Sequence, residues 1–217
     1  MKIVNIGNSN TIFNHFISEI RDVKIQNDSM RFRRNIERIG EVFAYEISKE
    51  MDYKNQEIIT PLGVSNGALI IEKPVLATVL RAGLPLHQGL LNYFDYSESA
   101  FISAYRQHKT DDDFDIKIEY MSSPEITGRT LILSDPMIAS GASMIMAIEA
   151  ILSKGNPKHI HIVGVIASTQ GIKYLQKKMP LKNCTLWIGA EDAEMTSKSY
   201  IIPGLGDAGD LAFGEKK

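Results

Sequence analysis

From Pro74 onward the chain repeats one pattern: a short unbroken apolar run, a turn of small or polar residues, then a stretch with helical spacing. The apolar runs are 75–80, 100–105, 130–133, 160–167 and 186–189. None alternates polar with apolar residues as a half-solvated strand does, so each is expected to be buried on both faces. The stretches through Leu91, over 141–152 and over 171–178 have helical character and supply the cover. The expectation is an α/β fold: a parallel sheet with helices on both faces. Ligands of such sheets bind outside the carboxyl ends of the strands. Those ends carry Arg81, Arg106 and Asp135.

Ahead of this core, Asn27-Asp28-Ser29 offers caps for a helix in which Phe32, Ile36, Ile39 and Phe43 recur at helical spacing. A hairpin follows: 57–64 and 68–71 flank Ser65-Asn66-Gly67, and Asn-Gly is a tight-turn signal. One domain over 1–217 is expected, with the helix and hairpin in 1–73, the core in 74–190 and a C-terminal hood in 191–217. The hairpin and the C-terminal segment together are expected to form the hood.

Composition narrows the function. The formal net charge is -2, which gives a polyanion no general attraction, so nucleic acid is not expected as a partner. Cys184 is the single cysteine, so neither a disulfide within the chain nor a cysteine metal cage can form. It lies in an apolar run and reads as a small core residue. Asn5, Asn8, Ser9 and Asn10 break the apolar segment that a signal peptide needs, and no apolar run approaches membrane-spanning length. A cytoplasmic location with no membrane partner is expected. His15, His87, His108, His159 and His161 show no metal-ligand spacing. His87 reads as a helix-surface residue, and His159 and His161 as one face of an edge or surface strand.

The most informative core segment is Leu131-Ile132-Leu133-Ser134-Asp135-Pro136-Met137-Ile138-Ala139-Ser140-Gly141-Ala142-Ser143. A buried strand meets an acid, then a bend of small residues that opens a helix. Small side chains let a phosphate approach the backbone N–H groups at the helix start, where the dipole favours an anion. Ser140 and Ser143 add hydroxyl donors. The Gly-Lys-Ser/Thr ending of a Walker loop is missing. A carboxylate just ahead of such a cradle suits ribose hydroxyls. An ordinary capped helix start, with Asp135 as a turn former, is the alternative.

Asp135 to Ser143 resembles the signature for 5-phosphoribosyl diphosphate (PRPP) of type I phosphoribosyltransferases, in its uracil-specific form Asp-Pro-Met-Leu-Ala-Thr-Gly-Gly-Ser. Ile138, Ser140 and Ala142 replace Leu, Thr and the second Gly. Val79-Leu80-Arg81-Ala82-Gly83-Leu84 resembles the family's pyrophosphate loop, and Tyr105-Arg106 the base of its flap. An arginine fork suits phosphate oxygens. The acidic run Asp111-Asp112-Asp113 would lie in that flap and matches no Ca²⁺ loop.

The stretch Tyr200-Ile201-Ile202-Pro203-Gly204-Leu205-Gly206-Asp207-Ala208-Gly209-Asp210 is similar, almost letter for letter, to the family's uracil-binding segment. Part of it fits G-x-G-x-x-G, but 210–217 leave no room for the rest of a dinucleotide-binding unit. Upstream, only Asp192 is kept of the family's Asp-Gln-Gly-Leu-Asn-Glu-His-Gly, which aligns with 192–199. A rigid Gly/Pro backbone can present complementary groups to O2, N3–H and O4 of uracil, and a cytosine amino group would meet a donor.

The resemblance implies transfer of the phosphoribosyl group from PRPP to N1 of uracil, giving UMP and pyrophosphate. Catalysis falls to Asp135 and Arg106. PRPP contacts fall to Arg81, Arg106, Asp207 and the signature Asp135, Pro136, Met137, Ile138, Ala139, Ser140, Gly141, Ala142 and Ser143. Uracil contacts fall to Tyr200, Ile201, Gly206, Asp207 and Ala208. Mg²⁺ is expected to arrive with PRPP, held by substrate and water with no direct protein ligand. A homodimer or larger homo-oligomer is implied, and GTP activation occurs in some relatives. A phosphoribosyltransferase for another base, or a regulatory relative that binds PRPP, nucleotides or RNA, remains open at this point.

Overall fold

A computed structural model describes residues 1–108, 114–179 and 182–215, with the backbone alone for 104–108 and 114–118. Its centre is a seven-stranded sheet built from β1 (Lys2–Asn5), β4 (Val75–Leu80), β5 (Glu98–His108), β6 (Phe114–Ser122), β7 (Thr130–Ile138), β8 (His159–Ser168) and β9 (Cys184–Asp192). The strand order is β1-β9-β8-β7-β4-β5-β6, and every pairing is parallel except β5 with β6. That antiparallel edge strand is an addition to the parallel sheet expected from sequence. Phe114-Asp115-Ile116-Lys117-Ile118-Glu119-Tyr120 alternates apolar with polar residues, so a search for unbroken apolar runs passes over it although alternation is itself a strand signal. The Asp111 to Asp113 run lies outside the described residues.

Successive residues of one strand feed opposite cores, which is why the apolar runs show no alternation. Leu131 and Leu133 pack with Ile145, Ile148 and Ile151 of α4 (Ala142–Leu152) and with Leu175 of α5 (Thr169–Lys178). Ile132 between them packs on the other side with Phe13 of α1 (Phe13–Arg21), Phe32 and Phe43 of α2 (Ser29–Ser48), and Leu86 and Leu90 of α3 (Leu84–Tyr93). Asp28 caps α2 by accepting from the Arg31 N–H at 3.0 Å, and Phe32, Ile36, Ile39 and Phe43 are all buried.

The hairpin turns elsewhere than Asn66-Gly67 suggested. β2 (Tyr53–Thr60) and β3 (Gly63–Ile70) pair from Tyr53↔Ile70 to Thr60↔Gly63, so Pro61-Leu62 is the turn and Asn66-Gly67 lies mid-strand. Proline lacks a ladder donor and suits the second position of a turn. Turning there pairs both strands along their full lengths and keeps Pro61 out of the ladder. Among the described residues the hairpin pairs with no other strand, while β10 (Glu194–Met195), β11 (Ile201–Ile202) and α6 (Ala208–Phe213) of the C-terminal segment fold back over the sheet.

Two histidine expectations are corrected. β8 is an interior strand, and His161 on it is 2 % exposed. His87 is also buried, with Nε2 3.0 Å from the Ser99 hydroxyl, because α3 lies flat on the sheet. Among the described residues no helix is long and apolar enough to cross a membrane.

Candidate active site

At the carboxyl ends of the parallel strands lies a cleft of about 570 Å³. Its lining comes from the end of β4 (Val79, Leu80, Ala82), from the β7–α4 bend (Asp135, Met137 to Gly141, Ser143, Met144) and from 198–201 and 206–209. The sheet's own register creates the opening. The ladder from β7 to β4 stops at Thr78↔Ser134, whereas the ladder to β8 continues to Ile138↔Ala167. Beyond Ser134, β7 therefore has a free flank, and Asp135 is the first residue on it.

Asp135 Oδ1 accepts from the Met137 N–H at 3.2 Å. Burial pushes its carboxyl up to about 7; the Met137 N–H opposes that shift and the negative charge of Asp207 adds to it. The residue is half-buried and lines the cleft.

Gly141 closes the bend with φ 79°, ψ -7°, and a Cβ there would stand 3.0 Å from the Gly171 carbonyl oxygen. The left-handed position is thus filled by the residue that tolerates it. Ala142 follows as the first residue of α4, and its φ is not positive. Its departure from the Gly-Gly form falls where the backbone does not need glycine. No side chain caps α4, and the Ser140 hydroxyl lies 3.4 Å from the Ala142 N–H. Apart from that long bond, the first-turn N–H groups of α4 have no side-chain partner among the described residues.

Across the cleft, Asp207 caps α6 by accepting from the N–H groups of Gly209 (2.8 Å) and Asp210 (3.0 Å). Ile201 is buried beside it, and Tyr200 is half exposed at the rim. Among the expected site residues, Asp135, Met137, Ile138, Ala139, Ser140, Gly141 and Ser143 meet Tyr200, Ile201, Gly206, Asp207 and Ala208 in this one cleft. Pro136 and Ala142 belong to the bend without lining the cleft. Arg81 is turned aside: its guanidinium donates to Asp210 Oδ1 at 2.9 Å and to the Gly214 carbonyl at 2.8 Å, and its Nε–H is buried without a partner among the described residues. Arg106 is placed by its backbone in β5, paired with Ile116.

Lys198 and Ser199 also line the cleft and were not singled out from sequence. They stand where the resembling motif has His-Gly. Ser199 holds φ 62°, the one non-glycine residue with positive φ among those described, at the position where the motif has glycine. Holding a serine there costs on the order of 1 kcal/mol. Lys198 adds a cation to a cleft whose other charged lining residues are Asp135 and Asp207.

A separate group, Glu50, His159 and His161, brings its ligand atoms within 4.8 Å of one another. It sits at the opposite, amino-terminal end of β8. The Trp187 indole N–H donates to His161 Nδ1 at 3.0 Å, so the neutral ring carries its proton on Nε2. Lys2 Nζ lies 2.5 Å from Glu50 Oε1. One imidazole is thus spent and the carboxylate is paired, which suits packing better than ligation. Cys184 is inert as well, its thiol pushed up to about 11 by burial.

The profile of the uracil phosphoribosyltransferase family matches residues 8–215. The chain belongs to that family. A uracil phosphoribosyltransferase of Porphyromonas gingivalis is 56% identical over 216 residues, covering the whole of both chains. One of Pyrococcus furiosus is 37% identical over 202 residues, covering 92% of this chain and 84% of its own. A solved structure from Aquifex aeolicus superposes with a TM-score of 0.85 over 98% of each chain at 27% identity. A hypoxanthine phosphoribosyltransferase of Staphylococcus aureus shares the fold at 12% identity, with a TM-score of 0.50 over 86% of this chain and 83% of its own. Within the uracil phosphoribosyltransferase family, then, this member keeps the bend and the C-terminal segment while carrying Ala142, Lys198 and Ser199.

Proposed function

We propose that this enzyme transfers the 5-phosphoribosyl group of PRPP to N1 of uracil, forming UMP and releasing pyrophosphate. One observation carries the reading: the bend before α4 and the 201–208 segment face each other across a single cleft with Asp135 between them. The bend's N–H groups and the Ser140 and Ser143 hydroxyls take the 5′-phosphate. The Asp135 carboxylate accepts from the ribose hydroxyls. The backbone around Ile201 and Gly206 to Ala208 reads the uracil edge, under Tyr200. Arg81 and Arg106 draw the pyrophosphate.

Uracil N1 bonds to C1 on the face opposite the pyrophosphate as the C1–O bond breaks, through a ribosyl centre with oxocarbenium character, and the N1 proton passes to water or to the departing pyrophosphate. No side chain forms a covalent bond. The rate comes from alignment and from charges placed in advance. Asp135 and Asp207 each commit one carboxylate oxygen to backbone N–H groups, and among the described residues nothing donates to the other. Such a pair suits the water shell of a Mg²⁺ carried by PRPP rather than direct ligation. When bound, that ion neutralises pyrophosphate charge.

Self-association fits the hairpin. Ile59, Leu62 and Val64 are 89%, 100% and 66% exposed on an arm that pairs with no other strand among the described residues, and a second copy is the partner that would cover them.

The test is UMP formation from PRPP, Mg²⁺ and uracil, with cytosine, xanthine and hypoxanthine as rival acceptors. Uracil alone should be converted. Conversion of another base in its place, or PRPP binding without turnover, would replace the assignment by one of the two alternatives.

A further inference from the structure

The segment that faces uracil has to be held, because a Gly/Pro backbone reads a base edge only if it is fixed before the base arrives. Its centre, Gly204, does not line the cleft but sits between the parts that do, Ile201 on one side and Gly206 to Ala208 on the other. Both polar groups of Gly204 are taken by two side chains from distant parts of the chain. Its N–H donates to Asp192 Oδ2 at 2.9 Å, and its carbonyl accepts from Arg21 Nη1 at 2.9 Å. Arg21 and Asp192 are joined to each other by two parallel bonds, Nη1 to Oδ2 at 2.8 Å and Nη2 to Oδ1 at 2.9 Å. The four bonds close a ring around one residue of the loop.

Arg21 is the last residue of α1 and Asp192 the last of β9, so the ring fastens the loop to a helix and to the sheet at once. The Asp192 side chain is 6% exposed and that of Arg21 21%, so water competes little for these bonds. Gly204 has φ 55°, and a Cβ there would lie 2.2 Å from the Ile201 carbonyl oxygen. Only glycine fits this position, and the four bonds select one of the several conformations open to it.

We infer that Arg21 and Asp192 are positioning residues for base recognition, acting on uracil through Gly204 without touching it. The inference rests on the reading of 201–208 as the base-binding segment. The chemistry requires both residues as they are. Asp192 Oδ2 accepts two hydrogen bonds; a carboxamide offers one oxygen and turns a donor toward other donors. Arg21 reaches two carboxylate oxygens and a carbonyl with one planar fork, which an ammonium cannot reproduce. A contact that only fastened α1 to the sheet would affect folding and leave the two substrates equally served.

The experiment compares Arg21→Lys and Asp192→Asn with the parent enzyme, measuring KM for each substrate, kcat and melting temperature. The expected result is a KM for uracil raised about tenfold or more, a KM for PRPP within twofold, and a weaker preference for uracil over cytosine. A lowered melting temperature with both KM values unchanged, or with both raised together, overturns the inference. Arg21→Lys alone decides should Asp192→Asn not fold. Amide hydrogen exchange on the parent enzyme with UMP separates the two levels. Without protection over 201–208 the base-segment reading itself fails. Protection there, with unchanged uracil KM in the variants, removes only the role of Arg21 and Asp192.

Discussion

The Arg81 guanidinium rests on the Asp210 carboxylate, 2.9 Å from Nη2 to Oδ1, across 129 residues of sequence. The loop expected to hold pyrophosphate is thus tied to the first turn of α6, beside the uracil segment. An anion that takes Arg81 must draw it from Asp210. A charge-assisted bond to a phosphate is worth roughly 1.5–3 kcal/mol. Arg81→Ala is therefore expected to raise KM for PRPP by about tenfold or more. Asp210→Asn, which removes the competitor, should leave that KM unchanged or lower. Steady-state kinetics with PRPP varied at saturating uracil checks both.

Asp135 should be indispensable to turnover and mildly costly to the free fold. Its carboxyl is raised from 3.8 to about 7, so its favourable contribution is complete below about pH 3.8 and fades as pH rises through about 7. Asp135→Asn is expected to lower kcat by about a hundredfold or more. It should also melt at or above the parent temperature at pH 8. Turnover assays and thermal melts of the ligand-free proteins provide the test.

The bend separates two neighbouring positions. Gly141→Ala puts a Cβ on a left-handed residue and 3.0 Å from a carbonyl oxygen. That change should destabilise the protein by about 1 kcal/mol or more and raise KM for PRPP severalfold. Ala142→Gly lies one residue on, in ordinary helical backbone, and should change KM for PRPP less than twofold. Measuring the pair in one assay isolates the backbone effect.

Acid should weaken the fold through buried histidines rather than through the cleft. Burial pushes His161 down to about 3, with His159 and Lys2 adding to the shift, and burial alone pushes His87 down to about 4. Unfolded histidine takes a proton near 6.5, so the stability present above that pH is lost as pH falls toward 4 and below. For His161 the loss by pH 4 is on the order of 3 kcal/mol. Denaturant melts from pH 7 to pH 4 should show the slope, and His161→Gln should flatten it.

Most of the core was legible because a doubly covered parallel strand writes itself as an apolar run. Val75–Leu80 falls where the pattern put it. The bend at 135–143 was legible because a phosphate cradle demands small residues at a helix start, and the 200–210 segment because it resembles a family motif almost letter for letter. What stayed hidden depends on partners far along the chain. Asn66-Gly67 carries a strong local turn signal, yet a full-length ladder and Pro61 outweigh it. His87 and His161 look like surface residues until the helices packed over them are known. Arg21, Asp192 and Gly204 have no motif in common, and only the fold brings them together. Nor does Arg81 announce Asp210, since an ion pair of that separation leaves no periodicity.

The central claim is that one cleft holds a sugar phosphate at the α4 bend and a pyrimidine at the C-terminal segment. A crystal structure of the enzyme with UMP tests it most directly. The account predicts the 5′-phosphate within hydrogen-bonding distance of backbone N–H groups between Ala139 and Ser143, the ribose hydroxyls on Asp135, and the uracil edge against Ile201 and Gly206 to Ala208. A nucleotide bound with its phosphate away from that bend, or its base away from that segment, would contradict it.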